Sequence, residues 1–391
     1  MLKLRQGDPS SSARMLGTPI PRHQAMIELA DANAATPLVG ITTSEGPRPG
    51  LFPLGPTGAS TETVRGRTEN YLALLNEGER ATSTFELDSE QWRTWCNIHR
   101  FLMRHGCCLD DLSITARDAA LGVLRAALSP VGFAGIRGVM QLNETIQELT
   151  GRRDEHGYPQ FGEWPYWMST FGAPSESEPW GFQLDGHHLN LNFLVLGEQM
   201  VATPFFLGSE PLVAETGRYV GVAVLQREER DALDLVQSLD AGQRRAAVVA
   251  DEMPPGLFAG AFSDNVTLDF AGIVHGALRA DQQELLWQLI GAYVGRLEEG
   301  QARAKLEEVR AHLDETYFAW MGRTEDESVF YYRVHSPVLL LEFDHEPGIV
   351  FEGLEPMRSH VHSIMRTPNG NDYGTDLIRQ HRALVAHHPA H

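Results

Sequence analysis

The chain has 391 residues, 42% apolar and 21% charged, the balance of an ordinary folded protein. Asp plus Glu number 52 against 32 Lys plus Arg, a net charge of −20, and a field of that sign repels phosphate backbones and anionic lipid. Whole-chain disorder, collagen-like repetition and a disulfide scaffold are excluded. Nucleic-acid and membrane-surface roles are disfavoured, and the expected partner is a small-molecule substrate.

Three cysteines occur, Cys96, Cys107 and Cys108. An odd count with two adjacent residues makes a poor disulfide framework and points to a reducing compartment. The opening MLKLRQGDPSSSARMLG has basic residues but no apolar core of a secretory signal. The longest apolar runs, such as VLLLEF at 338–343, are strand-length, far from the ~20 residues a membrane helix needs. A cytoplasmic chain is expected. Its oligomeric state is not set by these features.

In chain order, residues 1–21 read as a flexible arm, followed by a short helix within 23–46 and the Pro/Gly-rich loop PRPGLFPLGPTG. The stretch TETVRGRTENYLALLNEGERATS is helix-like, and further helices are expected at 89–104 and 115–128. The second of these takes Thr115 as N-cap and has Pro130 just past its end. Residues 136–150 form a third helical stretch, closed by Gly151. Then the period changes, because WGFQLDGHHLNLNFLVL alternates apolar and polar residues as a strand does. The same order recurs downstream, with helices at about 227–247 and 281–315 before the strands VFYYRVHSPVLLLEFDH and SHVHSIMRT.

PWGFQLDGHHLNLNF, from Pro179, aligns without gaps on VFYYRVHSPVLLLEF, from Val329. The expected class is therefore α+β, with two pseudo-repeated halves at about 70–207 and 233–368. Each is an antiparallel hairpin backed by helices, and the hairpins lie close enough to share one site. Together they form a single unit over 22–382, with a tail at 383–391.

No GxGxxG follows a strand, and the chain has no P-loop, GxSxG elbow, HExxH or CxxC pair. Histidine placement is more informative. Strand side chains two apart share a face, roughly 7 Å apart, so His360 and His362 point the same way and can lean onto one ion at ~2.1 Å. In GHHLNLNF, Leu189, Leu191 and Phe193 form a core face, leaving His188, Asn190 and Asn192 on the opposite, wet one. His187 falls with the apolar set and reads as a hydrogen-bonded core histidine. In the aligned strand Leu339, Leu341 and Phe343 face the core, while Glu342 and Asp344 face the other way, with Glu342 in the place of Asn192. A carboxylate-bearing strand pair beside an HxH strand can supply a 2-His-1-carboxylate set; the plainer reading is a solvated strand face. Arg333 can clamp a carboxylate or pair with a nearby acid. His381 can assist as a partner or proton shuttle, or simply lie on a helix surface. His387, His388 and His391 belong to the tail, and the adjacent cysteines read as structural.

The runs EPWGFQLDGHHLNLNFLVLGEQMVATPFFLGSEP, VRAHLDETYFAWMG, VFYYRVHSPVLLLEFDHE and HVHSIMRTPNGNDYGTDLIRQH resemble the family catalogued as domain of unknown function 3500. GLFPLGPTGAST and WRTWCNIHR fit the same pattern, so the resemblance spans roughly residues 45 to 382. It implies one family unit, inside which any two-lobed architecture must fall, and it carries no established reaction. The matched motif positions include His187, His188, His360, His362 and His381.

Together these features point to a metal-dependent enzyme of hydrolase or lyase type. His188, His360 and His362 are its candidate ligands, with Glu342 or Asp344 completing the shell or acting as general base. The cofactor is a divalent metal, zinc favoured and iron possible. Two alternatives use the same residues: a non-haem iron or copper oxygenase, and a non-catalytic protein that holds a ligand on its polar strand face.

Overall fold

Alternation along the chain decides the architecture, because a strand with one apolar face must bury it. The computed structural model describes residues 21–387, apart from 99–101, 103–104, 154–156 and 158. The expected arm lies almost wholly outside the described residues, as do His388 and His391. Eight strands make the body of a 13-stranded mixed sheet. They are β1 Tyr166–Phe171, β2 Trp180–Gly186, β3 Leu189–Leu196 and β4 Phe205–Ser209, then β5 Tyr317–Gly322, β6 Phe330–His335, β7 Leu340–Pro347 and β8 Pro356–Arg366. Their order across the sheet is β5-β6-β7-β8-β4-β3-β2-β1, every neighbouring pair antiparallel.

The α+β class is as expected, but one continuous sheet carries both hairpins. Strands β4 and β8 join them, pairing Gly208 with His362 and Phe206 with Ile364. The hairpins themselves pair alike. Phe182 faces Phe193 and Gln183 faces Asn192 in β2–β3, as Tyr332 faces Phe343 and Arg333 faces Glu342 in β6–β7.

Leu189, Leu191 and Phe193, with Leu339, Leu341 and Phe343, lie in the main apolar core, packed with helix residues such as Ile136, Leu286 and Leu289. That helical layer includes α1 Ile114–Ala127, α2 Pro130–Thr150, α3 Gln226–Ser238 and α4 Ala280–Val294. Ser113, rather than Thr115, caps α1, its hydroxyl accepting from the Ala116 N–H at 3.2 Å. Pro130 opens α2 at a position where its missing N–H costs nothing. The stretch expected as one helix at 227–247 is two, because Asp240 caps a new helix, Ala241–Ala247, through the N–H groups of Gly242 and Gln243. The stretch at 281–315 is likewise divided, between α4 and the helix Glu299–Arg310. Of the helix expected at 89–104, the described residues hold a 3-10 turn at Glu90–Arg93. The last helix, Thr375–His387, runs on through the expected tail boundary.

The opposite face of the sheet is not wet. Trp92, Trp95 and Tyr373 pack against Phe171, Phe206 and Ile364, closing it with a second apolar cluster. The polar residues on this face are therefore buried, and each must find a partner inside the protein. Among the described residues no helix is long and apolar enough to cross a membrane.

Candidate metal centre

The site is one row across the sheet. Asp344 on β7 pairs with His362 on β8, His362 pairs with Gly208 on β4, and the Gly208 N–H donates to the His188 carbonyl at 2.8 Å. His188 does not lie in a strand, as its alternation suggested. With His187 it forms the tight turn between β2 and β3, and its backbone is left-handed at φ 59°. That conformation is uncommon for a non-glycine residue and persists where surroundings fix it. Here its N–H donates to the Asn97 carbonyl at 3.0 Å.

Gly208 is what lets the rings meet. A Cβ at this position would stand 2.8 Å from His362 Cδ2 and 3.3 Å from His188 Cδ2. The Cδ2 edges of both rings thus converge over the missing side chain. His360 comes in from two residues before His362, and its Nε2 lies 3.2 Å from His188 Nε2. One ring nitrogen from each of His188, His360 and His362 lies within 4.8 Å of the others. Two ligands ~2.1 Å from one ion are separated by about 3.0–3.4 Å for angles between 90° and tetrahedral, the spacing of the His188 and His360 pair.

The surroundings fix which nitrogens carry lone pairs. His360 Nδ1 donates to the Pro347 carbonyl at 2.7 Å, which leaves its Nε2 as the ligand atom. Burial pushes the His360 pKa down to about 3, and His362 adds to the effect, so the ring is neutral. His362 Nδ1 lies 3.3 Å from Glu346 Oε1, while its Nε2 is buried without a protein partner. Glu346 is itself partly buried, which raises its pKa, yet its hydrogen bond to His362 holds it below the ordinary glutamate range. Glu210, fully buried, lies 3.8 Å from His360 Nδ1 and accepts from the N–H groups of Ile349, Val350 and Phe351. It pins the turn after β7 against the histidines. Burial raises its pKa against those three donors.

Asp344 is 1% exposed, and among the described residues no donor reaches either oxygen with sound geometry. Burial, and then the neighbouring Glu346 carboxylate, hold its pKa well above the aspartate range. Asp344, Glu346 and His362 form a second triad whose ligand atoms lie within 4.8 Å of one another.

The other sequence candidates lie elsewhere. Glu342 is filled: it accepts from the Phe258 and Ala259 N–H groups, both at 2.9 Å, and from the Tyr331 hydroxyl at 2.8 Å. It anchors a loop over the sheet, with three of its roughly four acceptor sites taken, and it belongs to neither ligand group found among the described residues. Arg333 donates to the Asp269 carbonyl at 2.8 Å rather than to a carboxylate in the cluster. His381 sits on the last helix, its Nε2 3.2 Å from the exposed Glu178 carboxylate, apart from the cluster. His387 is exposed at the end of that helix. His187 is buried, with Nδ1 2.8 Å from Asn143 Oδ1 and its ring stacked on His188 at 4.1 Å.

Three contributors escaped the sequence reading. Glu346 continues the alternation of Glu342 and Asp344 and could have been counted with them. Gly208, a glycine inside a strand, is the ordinary mark of close approach. Glu210 left no local signal, because its partners are backbone groups more than a hundred residues away.

An α+β sheet protein with a largely buried three-histidine cluster, carboxylates at its flank, is a candidate metalloprotein. The family model described as protein of unknown function (DUF3500) matches residues 57–375, and the chain belongs to that family. No curated protein and no solved structure matches it.

Proposed function

We propose that this protein is a metal-dependent enzyme acting on a small molecule, of hydrolase or lyase type, with His188, His360 and His362 holding a divalent cation, zinc favoured. The observation that carries the reading is the meeting of imidazoles from two distant hairpins, with His360 Nε2 and His188 Nε2 3.2 Å apart and the His360 tautomer set by Pro347. A cation bound there supplies Lewis acidity and activates water near neutral pH. The chain's own residues would orient and shield it. Pro347 and Glu346 aim the rings, and the turn held by Glu210 excludes bulk water.

A cavity of about 500 Å³ lies beside that turn, walled by Pro211, Leu212 and Phe351 among others. Pro211 follows Glu210 in the chain and the Phe351 N–H donates to the Glu210 carboxylate, so the cavity abuts the pinned turn. We assign it to a small substrate of mixed polarity.

Elemental analysis tests the reading. Wild-type protein purified without added metal should carry a divalent cation that His188→Ala and His360→Ala each remove. Equal metal contents in all three would overturn it, and iron with oxygen-dependent turnover would replace hydrolysis by oxygenation.

A further inference from the structure

We propose that Asp344, Glu346 and His362 form a second divalent-cation seat, and that the His362 ring bridges it to the three-histidine seat, so that the centre is binuclear. The proposal builds on the reading of His188, His360 and His362 as a metal seat.

Three observations carry it. First, the donor set is complete in itself, with one ligand atom from each of the three residues inside 4.8 Å. The Glu346 Oε1 to His362 Nδ1 separation of 3.3 Å matches two ligands of one ion, again about 3.0–3.4 Å. Second, Asp344 is 1% exposed, and among the described residues neither oxygen receives a hydrogen bond of sound geometry, although the His362 backbone and the Glu346 carboxyl lie close by. Two residues earlier on the same face, Glu342 is just as buried and has three donors. The fold therefore supplies partners to one buried carboxylate of this strand and withholds them from the next. An uncompensated buried carboxylate beside a second one is costly, and a cation between them removes the cost. Third, His362 is the one residue common to both triads. Nδ1 faces Glu346, while Nε2 is buried without a protein partner and its Cδ2 neighbour converges with the His188 ring over Gly208. A ring placed this way belongs to both triads.

Bridging has a proton balance. Neutral His362 carries one ring proton; when both nitrogens bind cations, that proton leaves for solvent and the ring becomes an imidazolate. Mixed carboxylate and imidazole donors suit zinc, manganese or iron(II).

Chelator-stripped full-length protein, titrated with zinc and counted after desalting, tests the proposal. Two zinc ions per wild-type chain are expected, and one in each of Asp344→Asn and His188→Ala. One ion in the wild type that survives Asp344→Asn but not His188→Ala would overturn the second seat while leaving the first; the carboxyl pair would then share a proton. One ion that survives His188→Ala but not Asp344→Asn would overturn the first seat, and the bridge with it. Should either variant misfold, copper(II) loading of the wild type decides alone. Two ions across one ring give a spin-coupled resonance with lost intensity, whereas two independent full-intensity signals would overturn the bridge.

Discussion

The two hairpins β2–β3 and β6–β7 share a pairing register and differ in what they bury. In the first, the polar face is mostly amide and its side chains largely pair with one another and with nearby backbone, leaving Asn190 Nδ2 over. Gln183 Nε2 donates to Asn192 Oδ1 at 2.7 Å, Asn192 Nδ2 donates to Asn190 Oδ1 at 2.7 Å, and His105 Nε2 lies 2.8 Å from Gln183 Oε1. In the second, the equivalent pair is Arg333 and Glu342, and neither bonds the other; Glu342 is filled by the 258–259 loop and Tyr331. Amides carry both donor and acceptor, so a row of them closes on itself. Ionised carboxylates only accept, so they must import donors from distant loops, take up a proton or hold a cation. The same scaffold thus gives a structural ladder on one side and a chemically loaded strand on the other.

The largest break in this comparison is expected at Glu342. Glu342→Ala strands three buried donors at ~1–3 kcal/mol each, so chemical denaturation should show a loss of about 3 kcal/mol or more, or failure to fold. Asn192→Ala in the ladder should cost less, about 1–3 kcal/mol, because Gln183 and Asn190 lose one partner apiece. Gly208→Ala acts where the hairpins join. The 2.8 Å approach to His362 Cδ2 and to the Val361 carbonyl forces a shift costing about 1–3 kcal/mol, and bound metal should fall with it. Glu346→Gln should leave folding near normal, empty the second seat and weaken the first about 10–100-fold, read by metal count and by competition with a chromogenic chelator.

The hairpins should also differ in the sign of their pH dependence. Burial raises the Asp185 pKa to about 8, against hydrogen bonds from Asn190 and from the Cys96 and Gly186 backbone. Between pH ~4, its unfolded value, and 8 the folded state holds the extra proton, so this residue's contribution falls as pH rises, by up to about 1.4 kcal/mol per pH unit. Burial, then the Arg333 charge, push His335 down to about 3. Its contribution is present above ~6.5 and lost as pH falls towards 3. Asp185→Asn should flatten the fall in stability between pH ~4 and 8, and His335→Phe the loss between pH ~6.5 and 3; unchanged slopes would refute the assignment. The smallest effect is expected at His381. On an exposed surface pair, His381→Ala should move stability by less than about 0.5 kcal/mol and leave metal content unchanged.

Alternation in the sequence was enough for the class, both hairpins, their apolar faces and the shared side of His360 and His362. Each of these follows from period-two geometry within one segment. It misled at His188, because a two-residue turn interrupts the strand without breaking the apolar and polar rhythm. It also made the polar face wet, since a polar row bound for solvent and one bound for a buried hydrogen-bonded layer have the same composition.

Only the tertiary structure set Glu342 apart from Asp344. The two are alike in sequence and share a strand face, but loop 258–259 reaches one and not the other. Likewise, Gly208 brings His188 onto His362, and Glu210 holds a turn from the far end of the chain. Local pattern fixes which way a side chain points. Which donors arrive, and whether water does, is decided by segments that are neighbours in space alone.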